Sequence, residues 1–446
     1  MDSGDQIARL KKLNDVSPSF CLAKWLQVTI DLVNGTTHSC HHPQRHLIPL
    51  EEIKRDVSAL HNTQFKKQQR KLMLEGVRPA ECSYCWDMED IGNSYSDRYI
   101  KSSDPWAWPH LDEIKKMSFD ENIAPTYLEV MIDNICNFSC AYCMADISTS
   151  VAAEMKKFGG YPVSNPHHRL SSRPEGQGKS EEYQKAFEKW LPEIMDQLRV
   201  LRVTGGEPLL SRQFWSLLSH IENSENSNLE LIINTHLNHG PELINKLKLS
   251  VESLFNEKKI KLFSLYVSLD TFGQQAEYIR DGLSYSQVIQ NIEKLSCEIP
   301  QLKVIIMCTF NILSIGGFDR FLKDVIELKK RHAVILDISC LKNPEYLRAD
   351  MANDDLISML QNHLDFMKSE VRYFSEHEYK KLGNIVNWAK SSAGGEKMNI
   401  RRSDFFRFIN EFDRRKKKKF IEIFPEFKSF YIEAKKSAFL ADEASR

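Results

Sequence analysis

The chain of 446 residues is long enough for one large domain of about 200 to 250 residues and smaller additions. With 42% hydrophobic residues and a formal net charge of −1, its composition indicates no particular charged partner. The N-terminus MDSGDQIARLKK lacks an apolar signal segment, and no run approaches the roughly 18 apolar residues that span a membrane. The ten cysteines are therefore expected to be reduced ligands or buried thiols in a cytoplasmic protein without a membrane partner.

Four cysteines within the first 120 residues form a complete ligand set for a metal or cluster: Cys21, Cys40, Cys82 and Cys85. The first two lie in the segment FCLAKWLQVTIDLVNGTTHSC. The alternation of WLQVTIDL predicts a strand, and Gly35 is predicted to form its hairpin turn. The other two form a C-x2-C pair in ECSYCWDMED.

Zinc competes with an iron–sulfur cluster for these four cysteines. Zinc sites of four cysteines, or of three cysteines and a histidine, use similar pairs. Four histidines stand close to Cys40 in the sequence: His38, His41, His42 and His46. Both alternatives stay open on these residues alone, and a fully ligated cluster suits electron transfer, which zinc does not support.

A second cysteine group, Cys136, Cys140 and Cys143 in ICNFSCAYCMAD, follows the apolar run YLEVMI at 127–132. Three thiolates on one loop can bind three irons of a 4Fe–4S cube, which ordinarily takes four cysteine ligands. The fourth iron then stays open for a substrate or cofactor, as the free position of a catalytic zinc does. A structural zinc loop is the alternative.

Residues 159–180, GGYPVSNPHHRLSSRPEGQGKS, lack periodicity and are rich in Gly, Pro and Ser. Loops of α/β proteins usually take two to six residues, so we predict a flexible insertion. It is either a mobile lid over the active site or a plain disordered segment. His167 and His168 are either acid–base groups or paired surface histidines.

Six short apolar runs rich in β-branched residues predict buried strands: 127–132, 199–203, 229–234, 262–269, 302–310 and 333–338. Helical patterns lie between them at 181–198, 284–297 and 316–331. This alternation predicts an α/β fold built on a partial (β/α)6 TIM-like barrel, with its chemistry at the C-terminal ends of the strands. We expect a small N-terminal cluster-binding domain at 1–120, the barrel at 121–348 and a helical C-terminal region at 349–446.

The second strand runs into Gly205, Gly206 and Glu207, where glycines let the backbone approach a ligand and Glu207 supplies a carboxylate. A C-x3-C-x2-C loop followed by a Gly-Gly-Glu strand resembles the radical S-adenosylmethionine (SAM) superfamily over residues 125–345. The resemblance implies a 4Fe–4S cluster on the three cysteines, with SAM on its open iron. It also implies reductive cleavage of SAM to a 5′-deoxyadenosyl radical, fed by a flavodoxin- or ferredoxin-type electron donor.

The resemblance further implies SAM contacts at the strand ends, each with an alternative. Tyr142 is expected near the adenine, or is ordinary core packing. Ser268 and Asp270 are expected at the ribose, although a helix cap at Asp270 is also possible. Arg280 suits the SAM carboxylate, because its guanidinium forms a fork, or is a surface residue. Two positions without a diagnostic residue type complete the set: Asn311 and Leu341.

The N-terminal cysteine pattern resembles the SPASM and Twitch auxiliary-cluster domains, whose hairpin supplies two ligands across a C-x(9 to 15)-G-x4-C spacing. Only one C-x2-C pair is present, so the resemblance implies a single auxiliary 4Fe–4S cluster of the Twitch type. Those domains commonly follow the barrel, whereas this one precedes it. An auxiliary cluster moves electrons to or from a substrate radical, which implies oxidation or cross-linking.

The C-terminal region carries the basic run Arg414–Lys419, which suits nucleic acid or an acidic leader peptide, or is a solvated helix face. The neutral net charge and the lack of an RNA-binding motif argue against nucleic acid. Three functions remain: a radical SAM oxidoreductase in the maturation of a ribosomally made peptide, the same chemistry on a sugar, aminoglycoside or amino acid, and a non-catalytic metal-binding module. The complete cluster loop with Gly-Gly-Glu disfavours the third.

Overall fold

The computed structural model describes residues 3–91, 96–168, 180–392 and 395–444. Within those ranges no helix is both long and apolar enough to cross a lipid bilayer. The described strands, numbered in chain order, are β1 Gln27–Asp31, β2 Thr36–His38, β3 His46–Leu47, β4 Tyr127–Met131, β5 Ser139–Cys140, β6 Val200–Thr204, β7 Glu230–Thr235, β8 Leu262–Ser268, β9 Arg280–Asp281, β10 Leu302–Phe310 and β11 Val334–Cys340.

The described α-helices are α1 Ser3–Val16, α2 Ala23–Leu26, α3 Leu50–Arg55, α4 Gln64–Leu74, α5 Ser83–Asp90, α6 Asp97–Ser103, α7 Leu111–Ile114, α8 Thr149–Phe158, α9 Ser180–Ile194, α10 Arg212–Glu222, α11 Pro241–Asn256, α12 Gly273–Ile279, α13 Tyr285–Glu298, α14 Phe318–Arg331, α15 Asp354–Ser369, α16 Glu376–Ser391, α17 Glu396–Lys416, α18 Phe420–Ile423 and α19 Lys428–Ala444. The chain divides into two compact units. The first is Met1–Asp133, Arg173–Ile233 and Ser250–Phe263, and the second is Asn134–Ser172, Asn234–Leu249 and Ser264–Arg446.

The first unit is built on a sheet in the order β7-β6-β4-β1-β2-β3. Strands β1, β4, β6 and β7 pair in parallel, and β2 and β3 extend the sheet antiparallel. Strand β1 is buried at all five positions and β4 at four of five, as in parallel strands that are covered on both faces. The predicted N-terminal hairpin is therefore present, and its first strand lies in the sheet beside β4.

Gly35 ends the turn of this hairpin with φ +64°, a left-handed conformation that favours glycine. The carboxylate of Asp31 organises the turn by accepting hydrogen bonds from the amides of Val33 and Asn34, both at 3.0 Å. A Cβ at position 35 would lie 2.1 Å from the ring of Tyr183, on α9. The Tyr183 hydroxyl donates a hydrogen bond to the carbonyl of Ile48 at 2.9 Å, so α9 covers the turn.

The second unit contains strands in the order β11-β10-β8, with β10 and β11 parallel over seven residue pairs. Helix α14 packs its buried face, which includes Phe321 and Val325, against this layer. The C-terminal helices α17 and α19 pack together through aromatic side chains. Phe405 and Phe430, for example, have ring centroids 5.1 Å apart.

All six predicted strands are present, as β4, β6, β7, β8, β10 and β11, and the three predicted helices correspond to α9, α13 and α14. The chain thus has an α/β fold with a mostly parallel sheet. The partial barrel and the domain boundaries at 120 and 348 stay predictions. Of the predicted insertion, residues 169–179 lie outside the described residues.

Candidate functional site

The loop with Cys136, Cys140 and Cys143 belongs to the second unit and is held by the start of α8. The Cys136 amide donates to the Thr149 hydroxyl oxygen at 3.1 Å, and the Ser150 hydroxyl donates to the Cys136 carbonyl at 2.7 Å. Ser148, the N-cap of α8, donates its hydroxyl to the Phe138 carbonyl at 2.9 Å. Backbone and hydroxyl groups thus fix the loop that carries the three thiols.

Cys140 pairs with Arg280 in the short antiparallel ladder of β5 and β9. The Ala141 amide also donates to the Ile279 carbonyl at 2.7 Å. Burial raises the pKa of the Cys140 thiol to about 12, although the Arg280 guanidinium acts in the opposite direction. Burial also raises the pKa of Cys143. Metal binding must therefore displace protons from these thiols.

Tyr142, Asp270 and Arg280 form one buried network. The Tyr142 hydroxyl donates to Asp270 Oδ2 at 2.9 Å, and Arg280 Nη2 donates to Asp270 Oδ1 at 3.0 Å. The Thr309 amide donates to the same Oδ1 at 2.9 Å. Arg280 is only 7% exposed, so the surface-residue alternative is wrong. Asp270 does not cap α12, whose N-cap is Phe272. The SAM contacts of these three residues stay predictions.

The remaining strand-end candidates of the second unit have local roles in this structure. Ser268 is the last residue of β8 and is half-buried. Asn311 is fully buried and caps the 3-10 turn Ile312–Ile315 by accepting from the Leu313 amide at 3.0 Å. Leu341 is buried, and its amide donates to the Phe310 carbonyl at 2.9 Å. Their predicted contacts with SAM are not tested by these interactions.

Gly205, Gly206 and Glu207 belong to the first unit and follow β6. Gly205 has φ +136°, and a Cβ there would lie 2.4 Å from the Asp133 carbonyl oxygen. The Gly206 amide donates to that same carbonyl at 3.2 Å. Glu207 is fully buried, and its carboxylate accepts from the Leu209 amide at 3.2 Å. The glycines are thus required for close backbone approach at the end of this strand.

The described start of the predicted insertion is partly packed, with Tyr161, Val163 and His168 buried. The His167 ring lies with Nε2 2.9 Å from the Tyr142 carbonyl oxygen. His168 is 2% exposed, hydrogen-bonds to the Tyr346 hydroxyl and stacks on Phe408, so paired surface histidines are a wrong description. Burial lowers the pKa of His168 to about 3, which keeps its ring neutral.

The basic run is partly internal, which contradicts a wholly solvated helix face. The side chains of Arg415 and Lys416 are 1% and 9% exposed. Lys416 pairs with Glu154 of α8 and, at 3.0 Å, with Asp281 of β9. Burial alone would raise the pKa of Asp281, but hydrogen bonds from Lys418 and Lys416 hold it below its usual value. The run therefore ties α17 to two elements that flank the cysteine loop.

Cys21, Cys40, Cys82 and Cys85 all lie in the first unit and share one region. Cys21, Cys82 and Cys85 are buried, and Cys40 is half-buried. Burial raises the pKa of Cys85, and the charges of the other three cysteines raise it further, so all four sulfurs are within electrostatic reach. Burial also raises the pKa of Cys40 to about 12.

The histidines beside Cys40 have protein partners of their own. His38 hydrogen-bonds to the Cys40 carbonyl, and His46 Nε2 lies 2.9 Å from the Thr63 hydroxyl. His42 Nε2 lies 2.7 Å from Asp97 Oδ2, and His41 Nδ1 lies 3.7 Å from Glu129. The donor set that fits a metal group here is therefore the four thiols, which suit either a cluster or zinc.

Comparison with known proteins finds similarity in the middle of the chain. Residues 130–329 match the family model described as the radical SAM superfamily. Two curated relatives are both named GTP 3′,8-cyclase. The protein of Staphylococcus carnosus (strain TM300) is 22% identical over 256 residues, which cover 56% of this chain and 65% of that one. The protein of Sulfurimonas denitrificans (strain ATCC 33889 / DSM 1251) is 24% identical over 263 residues, with coverage of 58% and 70%. This chain thus spans just under two thirds of the first relative.

Two similar solved structures are of SuiB from Streptococcus suis. The structure bound to S-adenosylmethionine has 14% identity, covers 79% of this chain and 70% of that one, and has a TM-score of 0.36. The structure bound to precursor peptide SuiA has 13% identity, coverage of 86% and 79%, and a TM-score of 0.37. The family match falls on the cysteine loop, Gly-Gly-Glu and the Asp270–Arg280 network. The match to the radical SAM superfamily therefore covers residues 130–329, just under half of this chain.

Proposed function

We propose that this chain is a radical SAM oxidoreductase in which Cys136, Cys140 and Cys143 hold a 4Fe–4S cluster. When bound, the cluster supplies the electron that splits SAM into methionine and a 5′-deoxyadenosyl radical, which abstracts hydrogen from the substrate. One observation supports this most directly. The three-thiol loop is fixed by α8, and Arg280 of β9 pairs directly with Cys140. The chain's own contribution is to hold the thiols in place and keep a buried cation at the anionic site.

The four thiols of the first unit are proposed to hold an auxiliary 4Fe–4S cluster. Loss of a hydrogen atom leaves a substrate radical, and loss of one further electron with a proton completes a two-electron oxidation or closes a cross-link. A fully ligated cluster is suited to accept that electron, since soft thiolate ligation supports redox chemistry. A donor set of three buried cysteines and the half-buried Cys40 supports this role as electron acceptor.

A ribosomally made peptide is the first substrate class proposed, on the resemblance to SPASM and Twitch proteins. A small molecule is the second, and the names of the two curated relatives, GTP 3′,8-cyclase, favour it. The two classes are separated by substrate-stimulated turnover. Deoxyadenosine formation should rise with a peptide encoded beside the gene in the first case, and with GTP or another small molecule in the second.

The catalytic assignment is tested by replacing Cys136, Cys140 and Cys143 together with alanine. We expect the anaerobically reconstituted variant to lose deoxyadenosine formation and to retain iron in the first unit. The matched control is Cys297→Ala, because Cys297 is exposed and belongs to neither cysteine set. Full deoxyadenosine formation by the triple variant would refute the assignment.

A further inference from the structure

We propose that Lys24 sets the reduction potential of the auxiliary cluster by placing a buried positive charge beside its thiolate ligands. The inference rests on the proposed function, because it requires a cluster on Cys21, Cys40, Cys82 and Cys85. It assigns a role to a residue that is not itself a ligand, and it concerns the potential of the site rather than its assembly.

Lys24 is placed between the two cysteine-bearing segments of the site. Its amide donates to the carbonyl of Cys21 at 3.0 Å, at the start of α2. Its side chain is 2% exposed, and Nζ pairs with the carboxylate of Glu81, the residue before Cys82. Its ammonium group is therefore held against the residue that precedes Cys82, while its backbone is bound to that of Cys21.

Two more buried basic side chains lie near Lys24 and have neutral partners. Lys66 is 1% exposed, and its Nζ donates to the Gln27 carbonyl at 3.1 Å and lies 2.8 Å from His61 Nδ1. Arg70 is fully buried and donates to the Lys24 carbonyl at 3.3 Å. In the described part of the chain, Glu81 is the sole carboxylate that forms an ion pair with any of these three basic side chains.

Lys24 and Arg70 are therefore two buried positive charges beside the one carboxylate of Glu81, which is costly unless an anion balances the excess. A cluster held by four thiolates is an anion, and reduction adds one further negative charge. Buried cations favour the reduced state and raise the potential, whereas a nearby carboxylate lowers it. A zinc ion held by four thiolates would balance the charge equally well but has no potential to tune.

The Lys24–Glu81 pair provides two substitutions of opposite sign at one place. Lys24→Met removes the cation and leaves the carboxylate, so we expect a more negative potential. Glu81→Gln leaves the cation alone, so we expect a less negative potential, and the double variant should lie between the two. Structural damage has no reason to shift the two single variants in opposite directions.

The experiment uses the full-length chain with Cys136, Cys140 and Cys143 replaced by alanine, so that only the auxiliary site can hold iron. The reconstituted protein is titrated anaerobically with dithionite and mediators while the reduced cluster is followed by electron paramagnetic resonance. We expect the two single variants to differ by at least a tenfold change in the one-electron equilibrium, which is about 59 mV. The control is Lys71→Met on α4, a lysine of the same unit whose side chain is 45% exposed, and it should leave the potential unchanged.

Shifts of the same sign in both single variants, or none, would overturn the inference while leaving the cluster assignment intact. If Lys24→Met does not retain iron, the test uses Glu81→Gln and Lys24→Arg, and the arginine keeps the positive charge. The arginine variant should keep a potential close to that of the parent. Zinc in place of iron in the parent protein would instead refute the proposed function, and the inference with it.

Discussion

The Tyr142 hydroxyl donates a hydrogen bond to Asp270 Oδ2 at 2.9 Å, and this contact joins the cysteine loop to the residues that follow β8. Asp270 is fully buried and also accepts from Arg280 and from the Thr309 amide. A single carboxylate therefore holds an aromatic ring between two cysteines, and a cation beside one of them, in fixed positions.

Asp270→Asn should destabilise the protein far more than Tyr142→Phe. Removing the carboxylate charge leaves Arg280 buried without its ion partner, which costs about 3 to 5 kcal/mol. Removing the Tyr142 hydroxyl costs one hydrogen bond to a charged group, about 1.5 to 3 kcal/mol. Urea unfolding of the metal-free variants measures both effects. Equal losses would show that the carboxylate is not the centre of this network.

Lys416→Met should lower stability and speed the loss of iron from the cysteine loop. Lys416 is buried between Glu154 and Asp281, so the substitution leaves two acidic groups with fewer partners, at a cost of about 1 to 3 kcal/mol. The matched control from the same basic run is Lys419→Met, because the Lys419 side chain is 75% exposed. Urea unfolding and the rate of iron release to a chelator are the measurements. Similar behaviour of the two variants would contradict the internal role of the run.

His168 should make the protein less stable as the pH falls from about 6.5 towards 3. Burial lowers the pKa of His168 to about 3, whereas the unfolded chain takes up the proton near its ordinary value. The stabilisation is therefore complete above pH 6.5 and is lost on acidification. His168→Gln should flatten this part of the pH profile of the melting temperature. The exposed His377 provides the control His377→Gln, which should leave the slope unchanged.

Gly205→Ala should be strongly destabilising, whereas Gly240→Ala should be nearly neutral. The first adds a Cβ 2.4 Å from the Asp133 carbonyl oxygen at a backbone φ of +136°, and such strain costs about 1 to 3 kcal/mol. The second adds a Cβ with no atom within 4 Å. Melting temperatures compare the two. A neutral Gly205→Ala would show that the backbone after β6 can relax.

Cys85→Ala should separate SAM cleavage from product release. If the auxiliary cluster accepts the substrate electron, a folded Cys85→Ala protein forms deoxyadenosine but releases no oxidised product. Its deoxyadenosine and product are quantified together by chromatography, with iron analysis to establish that the cluster is absent. Product formation at the parent rate by that protein would show that the four-cysteine site has only a structural role.

The strands and the cysteine loop could be predicted from sequence because both are local. Buried parallel strands tend to form continuous apolar runs, so their positions can be predicted from short stretches of the sequence. The three loop cysteines lie within eight residues, and their spacing predicts a ligand set for a cluster. The Gly-Gly-Glu turn is equally local.

The networks around the loop could not be predicted, because their members are far apart in the chain. Tyr142 and Asp270 are separated by 128 residues, and Lys416 and Glu154 by 262. A run of basic residues shows its charge but not its partners, so Arg415 and Lys416 resembled a solvated face. The pairing of Cys140 with Arg280 likewise depends on a two-residue ladder too short to leave a periodic pattern.

The contact between Gly35 and Tyr183 has a consequence for the order of events during synthesis. The hairpin that leads to Cys40 packs against the ring of Tyr183. The Tyr183 hydroxyl donates to the carbonyl of Ile48, which lies 135 residues earlier in the chain. A nascent chain that has just left the ribosome with all four N-terminal cysteines still lacks this covering helix and the neighbouring strand β4. Under the proposed function, iron is therefore expected to enter this site after translation has passed Tyr183, and a fragment that ends at residue 120 should not retain it.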